Sequence, residues 1–237
     1  VYSGKGLANI EITIPFSAEE MKARLDHDEG EGQSTQCKMF KGQAAHSSQP
    51  QLGVNAIEKT IDFLGQLPEQ LLVLEIDGGT NYNTIPVQSL LEFDLVSLME
   101  PTVNSKLLKI YKKINKLKIQ FESVVDENFN PPITTLNIGM IRTYSDHLKV
   151  MGCVRWPAAV SEATYREWTD DLRDYCASLG AVFRVRDHKK PFVMDRDSNF
   201  SKECFSIIKD NIPDARLVTQ PVTNEANVFH KLGLETL

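Results

Sequence analysis

No apolar run in these 237 residues approaches the ~20 needed to cross a bilayer, and no signal peptide opens the chain, so no membrane partner is expected. Positive charge is not in excess either. Lys and Arg total 26 against 32 Asp and Glu, a net charge of -6, which argues against a nucleic-acid partner. The cluster Lys106, Lys109, Lys112, Lys113, Lys116 and Lys118 reads as the solvated face of a helix. Cysteine is scarce: Cys37, Cys153, Cys176 and Cys204 stand far apart with no C-x-x-C pair, which excludes a zinc ribbon or dithiol motif and makes reduced thiols in the cytoplasm the expectation. Also missing are H-E-x-x-H, G-x-S-x-G, a P-loop and G-x-G-x-x-G. His-x-Asp is absent; the nearest match is His27-Asp28 in an acidic stretch, Asp26 to Glu31, that reads as a solvated linker rather than a metal site.

With 41% hydrophobic and 24% charged residues, the chain can bury a core and stay soluble. Alternation marks a strand over Leu7 to Ile14. A short strand over Cys37 to Ala45 leads through turn residues to an amphipathic helix at 54–66. Strands follow over Leu71 to Ile76 and Leu90 to Leu98, then a helix with Leu107, Ile110, Tyr111, Ile114 and Leu117 on one face. Ile133 to Ile141 and Leu148 to Trp156 form a hairpin, with Leu148, Val150, Val154 and Trp156 on one side and Lys149, Met151, Cys153 and Arg155 on the other. Ser161 caps a helix with a Tyr165, Trp168, Leu172, Tyr175 and Leu179 stripe, stopped at Gly180; a strand returns over Ala181 to Val185. Ser198 caps a last helix.

This order predicts an α+β fold, a ferredoxin-like β-α-β-β-α-β sandwich with an antiparallel sheet and helices on one face. Its first strand is expected at 37–45 and its first helix at 54–66, with a hairpin and helix inserted after them. Residues 1–16 and 191–237 read as pieces of a separate α/β domain. The expected division is therefore 1–34 (end of that domain and an acidic linker), 35–190 (the sandwich) and 191–237. Val1 and the apolar run ending at Leu237 both read as cuts through structure.

The stretch Gly42-Gln-Ala-Ala-His46-Ser-Ser-Gln-Pro50-Gln-Leu-Gly53-Val-Asn55-Ala56 joins a strand to a helix and carries a histidine, whose imidazole can donate a hydrogen bond to a carbonyl oxygen. It resembles the lid-domain signature Gly-x-x-x-His-(Ala/Ser)-x-x-Pro-x-x-Gly-x-Asn-Ala of the zinc peptidases that include carboxypeptidase G, aminoacylase, acetylornithine deacetylase, succinyl-diaminopimelate desuccinylase, peptidase T, peptidase V and carnosinase. Ile76-Asp-Gly-Gly-Thr-Asn-Tyr-Asn83-Thr-Ile-Pro86 resembles the Gly-Gly…Asn-x-Ile-Pro run of the dipeptidase and tripeptidase branches. Thr134-Thr-Leu-Asn-Ile-Gly139, Cys153-Val-Arg155-Trp-Pro157 and Thr223-Asn-Glu-Ala-Asn-Val-Phe229 extend the likeness, which is weakest over Met99 to Pro131.

The resemblance implies a zinc-dependent peptidase or amidohydrolase acting on small peptides or N-acyl amino acids, with a dipeptidase-like or other exopeptidase activity favoured over an acetylornithine deacetylase-like one. It implies a homodimer through the lid, with His46 entering the partner's active site to stabilise an oxyanion, Asn83 assisting, and Arg155 clamping the substrate carboxylate. Thr223 and Asn224 would line the substrate pocket, though the Gly that usually precedes them is absent. The five ligands of the two zinc ions would lie before Val1 and after Leu237, so the expectation is no metal ligand in this stretch and no hydrolysis by it alone. From the residues themselves, a non-catalytic ferredoxin-like dimerisation or small-molecule-binding module stays open. So do plain local roles: a turn residue for Asn83 and an ion-paired surface arginine for Arg155.

Overall fold

A computed structural model describes residues 1–30, 35–96, 98, 99 and 101–236, apart from the side chains of Asp28 and Glu29. In chain order the elements are β1 (Ser3–Gly4), β2 (Leu7–Pro15), α1 (Ala18–Glu29), β3 (Gln36–Lys41), α2 (Ala56–Leu64), β4 (Leu72–Gly78), β5 (Gln88–Asp94), α3 (Val103–Phe121), β6 (Thr135–Thr143), β7 (His147–Arg155), α4 (Glu162–Ser178), β8 (Val182–Lys189), β9 (Phe192–Val193), α5 (Asn199–Asn211), β10 (Thr219–Gln220) and α6 (Ala226–Lys231). A 3-10 turn, Pro50–Leu52, lies between β3 and α2.

Seven strands form one sheet in the order β3-β5-β4-β6-β7-β2-β8, every neighbouring pair antiparallel. Ala8, Ile10, Ile12 and Ile14 of β2 and Leu148, Val150 and Val154 of β7 point into one core. α2, α3 and α4 pack side by side over that face, supplying Ile57, Ile61, Leu107, Ile110, Ile114, Trp168 and Leu172. Each helix presents its apolar stripe because branched and aromatic residues recur at helical spacing, and burying one such side chain stabilises by about 1.5–3 kcal/mol.

The fold is α+β and ferredoxin-like, but the strands take different parts from those the pattern predicts. β8-β2-β7-β6, with α3 and α4 upon them, is the ferredoxin-like unit. Its first strand is β2, not the strand at 37–45, and its first helix is α3, not 54–66. β3, at the far edge with its side chains largely exposed, joins α2, β4 and β5 in a three-stranded extension. Residues 7–29 therefore do not belong to a flanking unit, and the expected boundary at residue 35 cuts through the sandwich. β2 is hydrogen-bonded on both edges, which only an inner strand can be.

The acidic stretch is not a linker either. It is α1, opened by a capping box in which Ser17 Oγ accepts from the Glu20 amide at 3.1 Å and Glu20 Oε2 accepts from the Ser17 amide at 2.7 Å. The buried Glu20 also accepts from the Val103 amide at 2.6 Å, so one carboxylate caps α1 and braces the start of α3. His27 contacts Thr35 at 3.1 Å; Glu31 lies outside the described residues. The lysines of α3 are not merely solvated. Lys106 is buried and donates to the Pro15 carbonyl, Lys113 pairs with Asp171, and Lys118 pairs with Glu58.

β1 pairs with β9 and β10 in a separate three-stranded sheet. Tyr2, Phe192, Met194 and Ala226 make its small core. No described helix is long and apolar enough to cross a membrane.

Candidate functional site

The helix-free face of the sheet carries two loops, 42–56 and 79–86. The first is pinched at its base: the Gln43 and Val54 backbones exchange hydrogen bonds of 2.8 and 3.0 Å. Gly42 is required there, since a Cβ on it would lie 2.1 Å from the Val54 carbonyl oxygen. A Cβ on Gly53 would crowd the Gln43 carbonyl at 2.9 Å. Pro50 opens the 3-10 turn, and Asn55 caps α2, its Oδ1 accepting from the Ile57 and Glu58 amides. Most of the motif's fixed positions thus build the loop, and among those fixed positions His46 is the exposed one.

Loop 79–86 runs beside it. The Ser47 amide donates to the Asn83 carbonyl and the Ile85 amide to the Ala45 carbonyl, both at 2.8 Å, so 45–47 and 83–85 form a short antiparallel pair around His46 and Thr84. The second loop presses close to the sheet. Gly79 has φ +73°, and a Cβ there would stand 1.9 Å from the Gly139 oxygen; a Cβ on Gly139 would stand 2.5 Å from the Asn81 oxygen.

His46 Nδ1 accepts from the Ser48 amide at 3.2 Å and contacts Ser48 Oγ at 2.8 Å. An amide N–H can only donate, so Nδ1 holds a lone pair and the proton of the neutral ring sits on Nε2. Burial, then the nearby Arg155 charge, lowers the imidazole pKa below its ordinary value, which keeps the ring neutral near pH 7. His46 is thus an exposed, uncharged Nε2–H donor held by its own loop.

The sequence-predicted residues come together unevenly. The Asn83 carboxamide makes no hydrogen bond among the described residues and Asn83 is exposed, its backbone bound to Ser47, while His46 pairs across with Thr84. Arg155 lies beneath, only 5% exposed. Its Nε donates to Ser47 Oγ and its Nη1 to Thr223 Oγ1, each at 3.3 Å. It is not an ion-paired surface arginine: no described carboxylate pairs with it. Thr223 in turn donates to the Lys5 carbonyl at 3.0 Å. Asn224 is engaged locally, its Oδ1 accepting from the Ala226 amide at the start of α6.

Residues to which the motifs assign no role complete the arrangement. Ser47 links Asn83 to Arg155. Asn137 on β6 donates to the Tyr82 and Thr84 carbonyls. Tyr82 Oη donates to Glu11 Oε1 at 2.6 Å, and Arg186 holds the other oxygen at 2.8 Å. Burial, then the Glu11 bond, pushes the Tyr82 phenol up to about 12, so it stays a donor. An Asn inside a strand is the one readable signal among these. A cleft of about 560 Å³ opens next to the loops, lined by Ala44, Thr84, Ile85, Val87, Met39 and Arg142 among others. Among the described residues, no group of three or more His, Cys, Asp or Glu could hold a metal ion.

Residues 31–122 match the family model described as peptidase dimerisation domain. That match covers 92 of the 237 residues. The chain's fold resembles that of aminoacylhistidine dipeptidase from Vibrio alginolyticus, with a TM-score of 0.61 and 14% identity over 97% of this chain and 54% of that one. Human carnosine dipeptidase 1 superposes with a TM-score of 0.43 at 12% identity, covering 98% of this chain and 47% of that one. Aminopeptidase PepT from Bacillus cereus gives 0.34 at 13%, covering 98% and 43%. At such identities the likeness to the first speaks for the fold alone, and the other two superpose too loosely to add to it. This chain spans about half the length of the dipeptidase it resembles. No curated protein matches it in sequence. The matched segment holds both loops and therefore His46 and Asn83, while Arg155, bonded to Ser47 and Thr223, lies outside it.

Proposed function

We propose that the whole protein is a zinc-dependent peptidase that cleaves small peptides, dipeptidase-like or otherwise exopeptidase, in preference to an N-acyl amino acid deacylase. This chain supplies the part that grips substrate and pairs with a second copy. The observation that carries the reading is the fixed, neutral Nε2–H of His46 on an exposed loop, with Asn83 on the run that pairs with that loop. An uncharged donor suits an oxygen that gains negative charge as a carbonyl is attacked. Arg155 supports a substrate with a free carboxylate. A buried guanidinium whose described partners are two hydroxyls has unused capacity for an anion. Thr223 fixes its orientation, and Asn224 helps shape the wall behind Thr223.

The two zinc ions of such an enzyme would be held elsewhere, since the described residues offer no cluster that fits them; no step here runs through a metal. The zinc would polarise the carbonyl and activate water. A partner copy enters the reading because the family model that matches residues 31–122 is described as a peptidase dimerisation domain. Four free cysteines, Cys37, Cys153, Cys176 and Cys204, support a reducing compartment such as the cytoplasm.

The test is kinetic. In the full-length protein, with a dipeptide probe such as L-alanyl-L-histidine, His46→Ala lowers kcat by about 100-fold or more with little change in KM. Arg155→Ala mainly raises KM, and does so for the free acid but not for its C-terminal amide. A His46→Ala enzyme with unchanged kcat overturns the role of His46. Equal wild-type KM values for acid and amide overturn the role of Arg155.

A further inference from the structure

Asn137 lies on β6, two residues from Gly139, and is 2% exposed. Its carboxamide is used at both ends. Oδ1 accepts from Asn55 Nδ2 at 3.1 Å; Nδ2 donates to the Thr84 carbonyl at 3.1 Å and the Tyr82 carbonyl at 3.4 Å. Asn55 donates as well to the Ile138 carbonyl at 2.8 Å while its own Oδ1 caps α2.

The direction of these bonds matters. In the extended run 82–85 the carbonyls of Tyr82 and Thr84 point to Asn137. The Asn83 carbonyl and Ile85 amide point the other way, into the 45–47 segment. The run therefore has two neighbours: the backbone around His46 on one side and a single carboxamide on the other. Burying an amide is unfavourable unless it is fully bonded, and an apolar residue would fill this site without that desolvation penalty. The amide fixes a height and register that an apolar contact cannot.

We propose that Asn137 is a positioning residue for His46, setting the 82–85 run above the sheet and, through the Ser47–Asn83 and Ile85–Ala45 bonds, the aim of the His46 ring. The proposal rests on the reading of His46 as the donor at the site; Asn137 itself touches no substrate.

Asn137→Asp keeps the size and the acceptor for Asn55 but removes both donors and turns a carboxylate oxygen toward the Thr84 carbonyl. The first readout is the imidazole nitrogen NMR spectrum of this chain. The expected result is a loss of the dominant Nε2–H form at His46 and a shift of its titration, with His27, His147, His188 and His230 unmoved. No change at His46, or equal change at all five, overturns the proposal.

The second readout is kcat of the full-length protein on L-alanyl-L-histidine. Asn137→Asp lowers it roughly 10- to 100-fold and adds nothing to His46→Ala. Losses that multiply overturn the proposal. A His46→Ala enzyme that keeps its kcat sinks the reading of His46 instead, and the NMR result still decides whether Asn137 aims the ring. If Asn137→Asp fails to fold, hydrogen exchange in the unmodified chain decides. The Asn137 side-chain amide protons exchange as slowly as strand amides if the carboxamide holds the run. Free exchange overturns it.

Discussion

The two site loops and the C-terminal run 191–236 are held by opposite means. The loops have almost no apolar core of their own. They are fixed by glycines that let backbones approach, by the carboxamides of Asn55 and Asn137, and by the Tyr82–Glu11 bond. The C-terminal run is rich in apolar residues that bury little: Ser201 is the buried residue of α5, while Ile207, Ile208, Ile212, Val228, Phe229 and Leu232 are exposed. Polar bonds with direction fix where a side chain points. An apolar face fixes nothing until something covers it. The difference is that between a part held by directed polar bonds and a part whose apolar residues are exposed in this chain. Arg155, bonded to Ser47 on one side and Thr223 on the other, is where the two meet.

The contrast breaks first at Gly79. Its φ of +73°, and the Gly139 oxygen that would lie 1.9 Å from an added Cβ, leave no room for a side chain. Gly79→Ala should cost about 3 kcal/mol or more, because backbone rather than a flexible side chain must move. Urea unfolding measures it, and a loss under about 1 kcal/mol would mean that the loop is not seated on the sheet as tightly as described.

Such positions separate what the sequence can reveal from what it cannot. Gly42, Gly53 and Asn55 are readable as turn and cap residues because their constraints are local, and Ser161 and Ser198 cap their helices at the expected places. The hairpin β6–β7 is legible because β7 alternates well, while β6 slips register between Ile138 and Met140. β2 is misplaced by the pattern because its neighbours, β7 and β8, lie far along the chain, and alternation says nothing about which strands pair. α1 is hidden because an acidic helix with a weak apolar stripe looks like a linker; its capping box is the signal that marks it. At the site, a motif points to His46, Asn83 and Arg155. Ser47 and Asn137 lie within motif stretches that give them no role, since their bonds cross to residues 36 to 108 positions away, beyond any local pattern.

Lys5 tests the seam between the two parts. It is buried, and its Nζ donates to the Pro131 and Ile133 carbonyls at 2.8 and 2.6 Å. Burial lowers its pKa from 10.5 to about 8, with Asp126 opposing the shift and Arg155 adding to it. The folded chain releases this proton near pH 8 and the unfolded chain only near 10.5. Between those values the unfolded state binds more protons, so stability rises with pH, and below pH 8 the full penalty stands. Relative to Lys5→Met, the unmodified chain should gain about 3 kcal/mol from pH 8 to 10.5. Other titrating groups cancel in the difference between the two urea curves. A difference that stays flat would show that Nζ keeps its ordinary affinity for the proton.

Gly233 sharpens the comparison with Gly79. Its φ is +78°, nearly the same, but nothing lies within 4 Å of an added Cβ. Gly233→Ala should therefore show only the intrinsic strain of the left-handed conformation, about 1 kcal/mol. Two glycines of like conformation then differ severalfold in effect because one has a backbone above it and the other has open space. Equal effects would mean that backbone strain, not the seating of the loop, dominates at Gly79.

The smallest effect belongs to the exposed face of α5. Ile208 is 41% exposed on α5. In this chain Ile208→Ser removes little buried surface, and the change in stability should stay within about 0.5 kcal/mol. Ile61→Ala, on the core face of α2, should cost about 2–5 kcal/mol by comparison. The pair distinguishes an apolar residue that holds the fold from one that lies on its surface. If Ile208→Ser proved as damaging as Ile61→Ala in this chain alone, α5 would already be covered by its own neighbours. The C-terminal run would then be a finished part of the fold, and the contrast with the site loops would disappear.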